Sequence, residues 1–287
     1  MKIKKTIGER IFDVFNHIFL LCLALVCLYP LWHVCMASFT DGNALMSHTG
    51  VLLWPIKFSL DAYKRVFSNP LIFSGYINTI KLLILGVSWQ MLMTILCAYV
   101  LSRPKFLLRR PIMLMITFTM FFSGGTIPIY MNMQQLGMMG HIWGLIIPFG
   151  MSTYNMIILR TAMEGVPSSL VEAATIDGAG HLAILWRIIL PLTKATLATL
   201  VLFYGVGLWN SWFWPARVLP DASNTVLAVV LRDILINGDT ASMDGGLPTN
   251  EGIKYATIIV ATLPILCIYP FIQKYFTQGV MIGAVKE

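Results

Sequence analysis

The residues with the means for chemistry are few, and they fall into three groups. The first is the segment 164–194, which holds Glu164, Glu172 and Asp177 beside Gly178 and Gly180. Of these acids, Glu172 and Asp177, spaced along a short amphipathic stretch, suit docking against basic or polar groups better than proton transfer. The second is Trp209-Asn210-Ser211-Trp212-Phe213-Trp214, with four aromatics in six residues. Aromatic faces stack on sugar C–H surfaces, and Asn210 is placed to bond hydroxyls. An interfacial aromatic belt explains the same density, and helical geometry lets only one or two of these side chains face a common path. Trp209, Asn210 and Phe213 are the candidates. The third group is isolated in apolar surroundings: Lys81, Asn78, Tyr154 and Asn155. Lys81 either faces a path, where it favours an anionic sugar such as a uronate, or snorkels from a helix end. The other three read equally as ligand contacts or as polar links between helices.

Catalysis finds no footing. There is no G-x-x-x-x-G-K-[ST] phosphate loop and no H-E-x-x-H. His17, His33, His48, His141 and His181 are scattered, and no Ser-His-Asp set can be assembled. Cys22, Cys27, Cys35, Cys97 and Cys267 all lie in apolar stretches, so neither a disulfide framework nor metal-ligand spacing appears. The expectation is no catalytic residue, no metal and no cofactor held by this chain.

The elements that must position these residues follow from the charges. The 287 residues include 20 basic and 13 acidic ones, 11% in all, against roughly 25% in an ordinary soluble domain. Hydrophobic residues make up 57%. That balance excludes a soluble enzyme, a disordered regulator and a nucleic-acid-binding domain, and leaves a polytopic membrane protein. Charges are missing from 14–40, 82–102, 111–159, 195–216 and 255–273. An apolar helix needs about 20 residues to cross the hydrocarbon. The 49-residue interval 111–159 has room for two crossings around the polar stretch from Ser123 to His141. The fold class is therefore all-α, with six transmembrane helices near 14–36, 75–99, 112–130, 142–162, 195–215 and 255–275 in a single domain over 1–287. The first run is too long for a signal-peptide core and reads as a retained helix.

Thirteen of the twenty basic residues fall at the amino terminus, in the second and fourth loops and in the tail. By the positive-inside rule that face is cytoplasmic, with both termini, and the net charge of +7 marks topology. The loops 37–74 and 216–253 are then the long outer ones.

The cytoplasmic loop 164–194 has its own internal logic. Ser169 followed by Glu172 fits a capping box, so a helix should start near Ser169. Ala173 and Ala174 give it a small face, Gly178 and Gly180 should end it and redirect the chain, and Pro191 should break a second helix before the fifth span. Such a helix–turn–helix elbow suits insertion into a groove of a partner.

Glu172-Ala173-Ala174, three residues, Gly178, nine residues, then Ile188-x-Leu190-Pro191 resembles the EAA loop of bacterial ABC-importer permeases. The Asp177-Gly178-Ala179 variant is similar to the carbohydrate-uptake branch, the MalG-type subunits. Phe122-Ser123-Gly124-Gly125-Thr126-Ile127-Pro128 and Leu208-Trp209-Asn210-Ser211-Trp212 resemble a subgroup importing oligosaccharides derived from polysaccharides. One departure is Ala195, where relatives commonly carry a proline.

The resemblance implies the type I ABC importer permease fold in the bacterial cytoplasmic membrane. Glu172, Ala173, Ala174, Asp177 and Gly178 would form the coupling helix, with Ile188, Leu190 and Pro191 setting its second arm. The implied partners are a second homologous permease subunit, two ATPase subunits that bind ATP and Mg, an extracytoplasmic sugar-binding protein, an oligosaccharide and the lipid bilayer, with no nucleic acid. The outer loop 216–253 would rest on the binding protein, though a solvated loop reads equally well. Two rivals remain: a permease for a non-sugar solute, and a stand-alone secondary transporter. The second would need coupling-ion carboxylates in its spans, and none is present beyond Asp13 at the first entrance.

Overall fold

The computed structural model describes residues 6–237 and 251–284, with side chains described as far as Cys267. Helices run in the order α1 Ile7–Ser38, α2 Gly42–Met46, α3 Asp61–Ser68, α4 Pro70–Ser102, α5 Arg109–Phe121, α6 Thr126–Gln135, α7 Trp143–Ile146 and α8 Thr153–Glu164. They continue with α9 Ser168–Ile176, α10 His181–Ile184, a π-helical turn Leu185–Ile189, α11 Leu190–Leu192, α12 Lys194–Trp209, α13 Pro215–Val218, α14 Leu227–Asn237 and α15 Glu251–Ala284. Among the described residues the β pairing is limited to an isolated bridge between Thr40 and Phe58.

The described residues fall into two compact units, one drawn from Met1–Pro70 and Asp233–Pro264, the other from Leu71–Arg232 and Ile265–Glu287. In the first, a capping box between Thr6 and Glu9 starts α1. Near the other end of α1, Trp32 Nε1 donates to Leu53 O at 3.0 Å, and Tyr29 Oη accepts from Leu52 N at 3.3 Å. Asp41 accepts from Asn43 N and Ala44 N and so caps α2.

The second unit is organised by α4. Its buried residues Ile72, Gly75, Thr79, Leu82, Gly86, Gln90, Thr94 and Ala98 recur every three or four positions, which makes one inward stripe on a helix. The stripe is small and polar where backbone must come close. A Cβ on Gly75 would lie 3.1 Å from Leu227 Cα, tighter than an ordinary contact, so glycine here eases the close approach of the start of α14. The first N–H groups of a helix lack intrahelical partners. Here Leu227 N donates to Thr79 Oγ1 at 3.0 Å, and Asn78 Nδ2 donates to Ser223 O and Thr225 O at 3.0 and 3.1 Å. One face of α4 thereby seats the loop entering α14.

Two helices among the described residues, α1 and α4, are long and apolar enough to cross a membrane unbroken, and they contain the expected 14–36 and 75–99. Three of the other intervals need correction. The expected 112–130 is two helices, α5 and α6, bent by 112°. Gly125 at the joint is the N-cap of α6, with φ +88, a backbone conformation that favours glycine. The expected 142–162 is interrupted between α7 and α8, where Pro148 supplies no N–H to continue the ladder. The expected 195–215 stops at Trp209, with α13 following as a separate turn. The expected 255–275 lies within α15.

Candidate functional site

The elbow begins at α9. Pro167 occupies the N-cap with ψ 128, and no side chain caps the helix. The expected Ser169–Glu172 capping box is absent because the helix starts one residue earlier and proline fixes its entry. Its end is specified more tightly. Gly178 N donates to Thr175 O at 3.1 Å, and Ala179 N to Ala174 O at 2.9 Å. This nested pair is a Schellman motif with Gly178 at the left-handed position, φ +81. An L side chain there costs about 1–2 kcal/mol. Gly180 is different: at φ −73 it is the N-cap of α10, a geometry open to any residue. Of the two glycines expected to redirect the chain, only Gly178 needs to be one.

The second arm does not break at Pro191. Pro191 sits inside α11, and the π-helical turn immediately before it absorbs the backbone donor that proline lacks. The 84° bend into α12 falls at Thr193 instead.

The elbow is held to the unit by both polar and apolar contacts. Tyr99 Oη on α4 donates to His181 O at 3.1 Å. Glu164 at the end of α8 accepts from Arg160 at 2.8 Å and pairs with Arg109 of α5, while Arg160 Nε donates to Leu101 O at 3.2 Å. Ile184, Leu185, Ile189 and Leu190 share one buried cluster with Ala98 and Leu101 of α4, Met156, Leu159 and Met163 of α8, and Leu200 of α12. Val171 and Ala174 pack on that cluster. Glu172, Ala173, Asp177 and Pro191 remain exposed, and Ile188 is half-buried. None of the tethers was visible in the sequence: Tyr99 and His181 stand 82 positions apart, as a tyrosine and a histidine of no motif.

A cavity of about 630 Å³ lies between α4, α8, α12 and the loop before α8. Tyr154 and Asn155 line it, together with Gln90, Tyr204, Ser211 and Trp214. None of its lining side chains is charged. Gln90 Nε2 donates to Phe149 O at 3.0 Å, and Tyr204 Oη accepts from Ser152 N at 3.1 Å while bonding Thr94 Oγ1 at 2.6 Å. Asn155 is 6% exposed, and its backbone N is bonded to Ser152 Oγ, leaving its amide side chain at the cavity wall. Such a lining can offer aromatic faces and neutral hydrogen-bonding groups to a hydroxylated solute.

The other path candidates lie elsewhere. Trp209 sits 6.4 Å from the Tyr76 ring, Asn210 Nδ2 donates back to Val206 O at 3.0 Å, and Phe213 lies under the Arg217 guanidinium at 3.8 Å. Lys81 is exposed on α4, and Asn78 is committed to the loop before α14. The cavity residues missed from sequence, Gln90 and Tyr204, had one available signal: a polar or aromatic side chain on the buried face of an apolar helix.

The comparisons with known proteins agree with this geometry. The family described as binding-protein-dependent transport system inner membrane component matches residues 90–282. The chain is 40% identical to the polygalacturonan/rhamnogalacturonan transport system permease protein YtcP of Bacillus subtilis, over 97% of this chain and 99% of that protein. It is 37% identical to Protein LplC of the same organism, over 98% and 97%. Among solved structures, a chain of a bacterial ABC transporter involved in the import of the acidic polysaccharide alginate superposes with TM-score 0.88 at 31% identity, covering 96% of this chain and all of that one. The chain belongs to the family of binding-protein-dependent transport system inner membrane components, the permease subunits of ABC importers.

Proposed function

We propose that this chain forms one half of the path of an ATP-driven importer for oligosaccharides, in the bacterial cytoplasmic membrane with both termini inside. An extracytoplasmic binding protein delivers the sugar, two ATPase subunits bind ATP and Mg, and a second, homologous permease completes the path. The substrates named for two of the relatives, polygalacturonan/rhamnogalacturonan and the acidic polysaccharide alginate, support an acidic oligosaccharide.

The observation that carries the reading is the two-faced elbow. One face of α9, through Val171 and Ala174, belongs to the buried cluster, while Glu172, Ala173 and Asp177 face away from it. The same three helices that pack on the elbow also wall the cavity: α4 through Gln90, α8 through Tyr154 and Asn155, and α12 through Tyr204. A displacement imposed on Glu172 by a closing ATPase pair therefore reaches the cavity walls through packed side chains, and access alternates. Gly178 holds the angle of the elbow, and Ile188, Leu190 and Pro191 set its second arm. Trp209, Asn210, Phe213, Lys81 and Asn78 line the portion of the path that the partner permease completes.

Glu172→Lys tests this. Glu172 is exposed, so the variant should reach the membrane in normal amount. Uptake of an oligogalacturonide by cells should fall at least tenfold, and ATPase activity of the purified complex should no longer respond to loaded binding protein. Normal uptake and normal coupling would overturn the assignment of the elbow. Normal coupling by a different class of solute would retain the elbow and overturn the sugar.

A further inference from the structure

A second concavity of about 620 Å³ opens where α4 hands over to α5. Its charged lining residues are Lys105, Arg109, Arg110 and Arg160. One acid serves them: Glu164 pairs with Arg109 and Arg160. Lys105 and Arg110 are exposed and stand in no ion pair with the described residues. Four cations and one carboxylate leave a net excess of three positive charges around a hollow.

Its place in the chain matters as much as its charge. The uncharged run 82–102 ends immediately before it, and the uncharged run 111–159 begins immediately after it. In a membrane protein that puts the hollow at the boundary between hydrocarbon and water. The loop across it carries Leu107, 95% exposed, and Leu108, 57% exposed. At such an interface the leucines enter the acyl layer and the cations meet phosphates.

We propose that this hollow binds the headgroup of an anionic phospholipid, with Lys105 and Arg110 on the phosphate, Arg109 and Arg160 adding field from behind, and Leu107 in the acyl chains. The inference stands apart from the sugar, and it adjoins the elbow, since Lys105 and Arg109 also line a hollow shared with Glu164 and Glu172. Because Arg109 and Arg160 are tied to Glu164, and through Arg160 to Leu101 O, a lipid here bears on the joint between α4, α5 and α8.

The test uses the assembled importer in detergent. Thermal unfolding is followed during titration with phosphatidylglycerol, phosphatidylcholine or inorganic phosphate. Phosphatidylglycerol should raise the transition by about 3 °C at saturation, and phosphatidylcholine should not. Lys105→Gln with Arg110→Gln should weaken the phosphatidylglycerol effect roughly thirtyfold, and Lys105→Arg with Arg110→Lys should restore it. The double glutamine variant should match wild type without lipid, since neither side chain is buried. A shift of the same size with inorganic phosphate alone would make this a soluble-anion site and overturn the proposal. So would an unchanged lipid response in the glutamine variant, or a variant whose ATPase subunits dissociate while its lipid response persists.

Discussion

The helices α1 and α4 are nearly equal in length, 32 and 33 residues, and both are apolar enough to cross a membrane. Within the most apolar window of α1 nothing is buried in this chain, whereas a third of the α4 window is. Apolarity does not separate them. The difference is the stripe Gly75, Thr79, Gly86, Gln90, Thr94 and Ala98, small and polar residues that let other backbones approach α4 and bond to it. The corresponding surface of α1 carries large exposed side chains such as Phe15, Phe19 and Leu21. Lipid is as apolar as leucine, so a leucine-rich face gains nothing by packing on its own chain, whereas glycines and hydroxyls do.

The largest effect should come from filling the stripe. Gly75→Leu places a side chain against the backbone of Leu227, which cannot give way as a flexible side chain would. Overpacking of this kind costs about 1–3 kcal/mol or more, and the purified permease should lose its thermal transition or aggregate. The matched change in α1, Leu21→Ala, removes an exposed side chain and should stay within about 0.5 kcal/mol. Equal costs at the two positions would break the contrast.

Thr94→Val should come next. It keeps the shape, removes the 2.6 Å bond to Tyr204 Oη, and should cost about 0.6–1 kcal/mol in the same measurement. No change would mean that Ser152 N alone holds Tyr204 in the cavity wall.

The smallest effect concerns the loop that Asn78 grips. Asp221 accepts from the backbone N–H of Ser223 first and from its hydroxyl second, and these bonds hold its carboxyl below the usual carboxylate range. A depressed folded-state value stabilises above the ordinary carboxylate value and loses that contribution as pH falls through the depressed one. Asp221→Asn should therefore flatten the acid limb of the stability profile by removing this small contribution at neutral pH, and leave the low-pH end nearly untouched. An identical acid limb in the variant would remove Asp221 from the account.

Much of the molecule was legible from where charges are absent. The intervals 14–40 and 82–102 located α1 and α4, because a long uncharged run in lipid has helix as its one economical backbone solution. The breaks were harder. The Ser123–Gly125 stretch announced a turn, but composition could not say that Thr126 would start a helix again at 112° to α5. At the elbow, Gly178 was readable because its left-handed geometry demands a residue type. The supposed capping box was not, since two residues at the right spacing bind only if the helix starts on the first of them. The cavity escaped for a third reason. Asn155 was named from the sequence, but Gln90 and Tyr204 join it from two other helices, and convergence is a property of packing that local spacing does not encode.

The length of α4 has a consequence for Lys81. Thirty-three residues make a rod of about 50 Å, against a hydrocarbon layer of about 30 Å. That surplus is met by tilt or by letting helix stand clear of the acyl chains. The 21 uncharged residues 82–102 are alone long enough to fill the layer. With them in place, Lys81 rides at one rim and Arg103 at the other, and the turns from Pro70 to Ile80 rise into the headgroups and beyond. A lysine set among apolar neighbours is then a rim residue, at the mouth of the span rather than at its centre.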